Sequence, residues 1–189
     1  MAKYKAPESR DSLARKAASA RHSLLLFMIF TVVNIIMVML DTGRYFLFSI
    51  SVPYYLVMMG KGLDNGFIDG AWDVNGTFTI TGLIIAAIIL AVYLLCWLLS
   101  KKRSGWLTVT LILIILDTVA LALLTFALYE NPATNLMDFL FHAWMIWDIA
   151  RGTRSAAKLK KLPAEEELTQ EDIYAAIPGL EDSEKHFDM

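Results

Sequence analysis

Apolar residues fall into four long runs, from Ser23 to Leu40, Ile80 to Leu99, Trp106 to Leu128 and Leu136 to Ile149, with the charged residues gathered between and beyond them. Each run is close to the roughly 20 residues that cross a bilayer core as a helix. Within the runs the apolar positions are continuous rather than alternating with polar ones. In hydrocarbon every backbone N–H and C=O must be paired internally, so uninterrupted runs of this length predict helices rather than barrel strands. The expected fold is an all-α integral membrane protein built on a four-transmembrane-helix bundle.

A fifth apolar piece, Tyr45 to Met59 (YFLFSISVPYYLVMM), is shorter and is interrupted by Pro53. Its expected place is a re-entrant or interfacial element on the outer side, with Tyr45, Phe46, Phe48, Tyr54 and Tyr55 at headgroup level. A fifth crossing is the alternative. Residues 60–79 then form an outer loop. In it Asn75-Gly76 carries the dipeptide of a two-residue hairpin turn, which predicts a small hairpin from Ala71 to Ile80. Asp73-x-Asn75-Gly76 matches only a fragment of a calcium loop, and a solvated turn accounts for it.

Charge fixes the expected orientation, because Lys and Arg near span ends stay on the cytoplasmic side. Basic clusters occur at Lys3 to Arg21, at Lys101 to Arg103 and at Arg151 to Lys161. These three belong on one side only if the chain crosses an even number of times between them. The segments between the clusters carry Asp41, Asp64, Asp69, Asp73 and Glu130 against Arg44 and Lys61, which suits the outer face. The chain therefore divides into a basic cytoplasmic arm (1–22), a membrane domain (23–150), a basic juxtamembrane segment (151–162) and an acidic cytoplasmic tail (163–189). The arm predicts a short helix capped by Asp11 or Ser12, lying over an anionic inner leaflet. In the tail, Thr169 begins a possible capped helix that presents Ile173, Ala176 and Ile177 to a cytosolic partner, with a disordered acidic tail as the simpler reading.

A hydrophobic content of 57% in 189 residues is wrong for a water-soluble surface, and a net charge of −2 hides the strong segregation of sign along the chain. The basic-then-apolar start resembles a secretory signal, but no small-x-small cleavage site follows Leu40, so a retained first span is expected. The single cysteine, Cys96, allows no intrachain disulfide and no cysteine-based metal or redox chemistry. The motifs of zinc proteases, serine hydrolases, P-loops and dinucleotide folds are absent from the sequence. No cofactor, metal or nucleic acid is expected, and compact loops without organelle signals point to a bacterial plasma membrane.

Candidate chemistry rests on the ionisable and polar residues inside the runs, since a charge at mid-bilayer costs about 2.5 kcal/mol or more. Asn34, Asp117 and His142 lie at similar depth in antiparallel helices. At 100° per residue, Thr110, Asp117, Thr118 and Thr125 share one sector, Ser23, Thr31, Asn34 and Asp41 a second, and Asn135, Asp138 and His142 a third. The simpler reading keeps Asp117 protonated and makes the stripes interhelical hydrogen-bond glue. A proton or cation pathway through Asp117 and His142 is the second reading, and a metal-dependent intramembrane enzyme the third. Asp148 is explained by a local ion pair with Arg151. Trp97, Trp106, Trp144 and Trp147 are expected as inner-interface anchors. Gly82, Ala86, Ala87 and Ala91 offer a small-residue surface for contact within the bundle or between subunits of a homo-oligomer. The expected function is that of a non-enzymatic subunit, scaffold or regulator in a membrane complex.

The charge bias makes a topological prediction. With Cys96 replaced by Ala and one cysteine introduced at position 102, an impermeant maleimide added to intact cells leaves the protein unlabelled until the membrane is opened, whereas a cysteine at position 65 reacts from outside. Labelling of position 102 from outside would restore a fifth crossing.

Overall fold

A computed structural model describes residues 8–66, 76–128 and 135–162, and among these residues there are five α-helices and no strand. They are α1 (Arg10–Met39), α2 (Ser51–Asp64), α3 (Thr77–Ser100), α4 (Gly105–Leu128) and α5 (Leu136–Lys161). Three of them, α1, α3 and α4, are long and apolar enough to cross a membrane. The run from Leu136 to Ile149 is the first half of α5, which continues without a break into the basic segment as far as Lys161. Residues 71–75 of the expected hairpin and the tail positions Ile173, Ala176 and Ile177 lie outside the described residues.

The four long helices alternate in direction. Arg21 in the first half of α1 donates to the Ser100 carbonyl at the end of α3 (3.3 Å), and Lys158 near the end of α5 pairs with Glu8 just before α1 (3.0 Å). At the opposite end Thr125 of α4 meets Asn135 before α5 (3.0 Å), and Asp64 of α2 meets the start of α3. The basic residues from Arg10 to Arg21 are thereby brought to the same end of the bundle as Lys101 to Arg103 and the second half of α5.

Several local expectations are corrected. The N-terminal arm is not a separate helix: α1 runs unbroken from Arg10 to Met39. Its cap is Ser9, whose hydroxyl accepts from the Ser12 amide (3.3 Å), with Asp11 in the first turn where negative charge suits the helix dipole. Thr77 to Ile80 is the first turn of α3 rather than a strand. Gly76 does take the positive φ that its dipeptide suggested (80°), but as the N-cap of α3. The capping acceptor comes from α2: the Asp64 carboxylate takes the Phe78 amide (3.1 Å), the Thr79 amide (2.7 Å) and the Thr79 hydroxyl. Burial alone would push this carboxyl up, but those hydrogen bonds hold it below its ordinary value.

α1 ends in a Schellman motif with Asp41 in the left-handed region (φ 53°). The Asp41 amide bonds the Val38 carbonyl and the Thr42 amide the Met37 carbonyl. Lys61 of α2 reaches over this end to pair with Asp41 (2.6 Å) and to donate to the Val38 carbonyl (2.9 Å). α2 packs chiefly along the first half of α3, and glycine allows the approach. A Cβ on Gly60 would stand 2.4 Å from the Phe78 carbonyl oxygen, and one on Gly82 would stand 2.6 Å from that of Leu56. Of the small-residue surface expected on α3, Gly82 and Ala86 are buried in this contact while Ala87 and Ala91 face outward. Gly152 of α5 seats against Ala20 of α1 in the same manner.

Polarity is inverted relative to a soluble bundle. Asn34, Asp117, Asp138 and His142 are buried, whereas Ile84, Ile88, Leu123 and Phe126 on α3 and α4 are more than half exposed. Such an apolar exterior over long helices is what a lipid-facing surface requires.

Gly82→Ala should lower the stability of the detergent-solubilised protein by about 1–3 kcal/mol, because the new methyl meets backbone that cannot move aside. Gly105→Ala, which meets nothing within 4 Å, should leave the thermal melt unchanged. Equal melting of the two variants would mean that the α2–α3 approach is not tight.

Candidate functional site: the buried start of α2

Between α1 and α2 the chain descends from one end of the bundle to its middle, so that α2 begins at the level of Asp117, near the midpoint of α4. A helix start leaves four N–H groups without intrahelical partners, on the cap residue and the next three. Buried without water, each needs an acceptor. Here all four are resolved. The Ile50 amide donates to the Thr31 hydroxyl (2.8 Å), the Ser51 amide to Asp117 Oδ2 (2.9 Å) and the Val52 amide to Asp117 Oδ1 (2.8 Å). The fourth position is Pro53, which has no N–H to satisfy.

The irregular segment above this start is held in the same way. Asn34 pairs with both backbone groups of Phe46, accepting from its amide (2.6 Å) and donating to its carbonyl (2.8 Å), and donates also to the Ser49 hydroxyl (2.8 Å). Thr31 completes its own valence by donating to the Phe27 carbonyl (2.8 Å).

His142 closes the site from α5. Its Nδ1 lies 2.8 Å from the backbone carbonyl of Asp138, which can only accept, so Nδ1 carries a proton. Its Nε2 lies 3.0 Å from Asp117 Oδ2 and 3.2 Å from the Ser51 hydroxyl. With Nδ1 protonated, the contact between Nε2 and Oδ2 needs one proton of its own. The pair is therefore neutral overall, whether written as imidazolium and carboxylate or as imidazole and acid.

This geometry is not that of a hydrolytic triad. There the carboxylate sits on Nδ1 and the nucleophile on Nε2, whereas Ser51 and Asp117 converge on the same nitrogen. Among the described residues no three His, Cys, Asp or Glu side chains come together as a metal-ligand set.

The expected polar residues thus fall into one buried group and its extensions. Asn34, Asp117 and His142 are joined through residues 46–52, and Asp138 extends the group outward through Tyr45, whose hydroxyl lies 3.4 Å from Oδ2. Asn135 bridges the hydroxyls of Thr125 and Tyr55. Thr110 and Thr125 are buried with Asp117 as their stripe implies. Thr118 is half-buried and bonds its own helix at Ile114, Ser23 is half-buried, and Asp41 is exposed. Asp148 pairs with Arg151 (2.8 Å) as its spacing suggests, yet the carboxylate is buried and its Oδ2 has no hydrogen-bond partner.

Two expectations about aromatic residues change. Tyr55 is buried and Phe48 packs on Phe141 (ring centroids 4.0 Å apart) and Trp144 (6.0 Å), because the descent that buries the α2 start carries both below the end of the bundle. Trp144 stands edge-on to Phe27 (5.8 Å) and remains 41% exposed. Trp97 and Trp147 carry the Lys101 ammonium (4.1 Å) and the Arg151 guanidinium (4.7 Å) over their rings. Trp106 is half-buried in the first turn of α4. Sequence reasoning missed Ser51 and Pro53. Their signal was a Ser-x-Pro within the apolar piece, which marks a helix beginning as readily as a break.

No family model, curated protein or solved structure matches the chain.

Asp117→Asn keeps one acceptor but turns an NH2 toward the second amide, and should destabilise by about 1–3 kcal/mol. Asp117→Leu leaves both amides without an acceptor and removes one of the two partners of His142 Nε2, and should cost about 3–5 kcal/mol. Thr118→Val should be near neutral. Thermal melts in detergent test the series, and an Asn variant as stable as wild type would show that the amides of Ser51 and Val52 do not depend on the carboxylate.

Proposed function

We propose that this protein is a four-pass membrane protein, with both termini cytoplasmic, that serves as a non-enzymatic subunit, scaffold or regulator of a membrane complex. The observation that carries this reading is the occupation of its buried polar groups. Asn34, Thr31, Asp117 and His142 are each engaged with the backbone or hydroxyls of residues 46–52, so the polar interior has a structural purpose that needs no transported ion. α2 supports the even crossing count. At 14 residues it is about 21 Å long, and it begins mid-bundle and finishes at the end where α3 begins. The basic first half of α1, the α3–α4 turn and the second half of α5 would then face the cytoplasm together, and the acidic tail that follows would meet a soluble partner.

One observation favours a second reading, a proton- or cation-coupled transport subunit. The Tyr45 side chain that meets Asp138 also lines a cavity of about 730 Å³ at the outer end, between α1 and α2. A carboxyl beside a cavity and one helical turn from His142 is a placement a proton relay would use, although the Asp138 group bonded to the ring is the backbone carbonyl and not the carboxyl.

Proteoliposomes separate the two. Full-length protein should give no pH-driven proton or cation flux above protein-free vesicles, and gentle extraction from native membranes should recover a partner in fixed stoichiometry. Flux that disappears in Tyr45→Phe and His142→Gln, with the melt of each variant retained, would replace the scaffold reading with transport.

A further inference from the structure

At the end of the bundle where the basic clusters meet, α1, the α3–α4 turn and α5 enclose a cavity of about 810 Å³. Arg10, Arg21, Lys101, Lys102, Arg103 and Lys160 line it, and among the described residues no Asp or Glu does. Arg21, Lys101, Lys102, Arg103 and Lys160 alone gather five positive charges around one opening, a collection that favours an anion among them. Two are fixed in place: Arg21 by its bond to the Ser100 carbonyl and Lys101 by the face of Trp97. Ser100 and Ser104 also line it, and one side is apolar, with Ala17, Leu107 and Ala156 buried in a small cluster. The first turn of α4 opens on the cavity as well, adding the positive end of a 24-residue helix.

The geometry points to a built site for the phosphate headgroup of an anionic phospholipid from the cytoplasmic leaflet. Three properties favour a lipid over a free phosphate. The cavity lies where the apolar spans α3 and α4 end. Trp97 and Trp106 flank it on the two sides of the turn, the position tryptophan takes at headgroup level. An apolar wall beside the cations suits the glycerol and first acyl carbons. Basic pockets between helices on the cytoplasmic side are suited to such headgroups. The site rests on the orientation proposed above but not on the scaffold role.

Full-length protein in detergent, titrated with phosphatidylglycerol or phosphatidylcholine and read by native mass spectrometry, tests it. Phosphatidylglycerol should be retained and phosphatidylcholine, whose choline offsets the phosphate charge, released. The triple variant Lys102→Gln, Arg103→Gln, Lys160→Gln should lose roughly 100-fold in affinity, from about 5-fold per charge, with its melt unchanged. Neutralising Arg15, Arg154 and Lys161, which lie at the same end outside the cavity, should leave retention intact. Equal retention of both lipids, or equal losses in the two triple variants, would reduce the site to general charge attraction and overturn it. Displacement of the lipid by pyrophosphate at equal concentration would reassign the site to a free anion. A tenfold gain in lipid affinity on neutralising Glu165, Glu166 and Glu167 would name the chain's own tail as the occupant. Detergent has no sidedness, so failure here is distinct from a failed orientation, which labelling at position 102 reads separately.

Discussion

A helix that starts inside an apolar bundle must find acceptors for its first amides or not form at all. Water is not there to supply them, and each orphaned group would cost on the order of 1–3 kcal/mol. The conformation of residues 46–52 follows from that constraint. Thr31 and Asp117 take the donors at the start of α2, Pro53 removes the last of them, and Asn34 stands in for a neighbouring strand at Phe46. His142 then anchors Asp117 from the opposite side, so that α1, α2, α4 and α5 are tied at one level. The glycine contacts of α2 with α3 bring in the remaining helix.

The same constraint explains why polar side chains are concentrated at mid-depth while the ends differ in charge. In the middle, each polar group answers a specific backbone or side-chain donor. At one end, cations outnumber carboxylates among the described residues: Asp148 pairs with Arg151, and Glu8 pairs with Lys16 and Lys158 and so fastens α1 to α5. Those two ammonium groups hold the Glu8 carboxyl at about 2, well below its ordinary 4.5. The first arrangement is local and geometric, the second collective and electrostatic. One defines the interior, and the other gives the bundle an axis with distinguishable poles.

Much of this was legible in the sequence because it depends on periodicity. The apolar runs, the alternation of basic clusters and the sectors containing Asn34, Asp117 and His142 all follow from 3.6 residues per turn and a 30 Å hydrocarbon layer. The role of those sectors was not legible. Asp117 looks like a lone acid in a span until the amides of Ser51 and Val52, far upstream in the chain, are brought to it. Pro53 reads as an interruption until the helix is seen to begin just before it. Asn75-Gly76 correctly signalled a positive φ at Gly76, yet the residues that follow obey the helical pattern of α3. Likewise Ser9, rather than Asp11 or Ser12, caps α1 because the helix extends further toward the N-terminus than its apolar part suggests. For Asp117 the deciding partner lies beyond the window in which a local pattern can be read.

The spacing of these partners along the chain also orders the assembly in time. The Ser51 amide waits for an acceptor 66 residues downstream and its hydroxyl for one 91 residues downstream. As the chain emerges from the ribosome, α1 is complete long before Asp117 and His142 exist. Until they arrive, the segment that becomes the start of α2 has nowhere dry to place its backbone and must stay where water can reach it. The descent of residues 46–52 into the bundle is therefore a late event, after α4 and α5 have joined it. Unlike the long helices, each of which pairs its own backbone, this segment is admitted to the interior only by the finished protein.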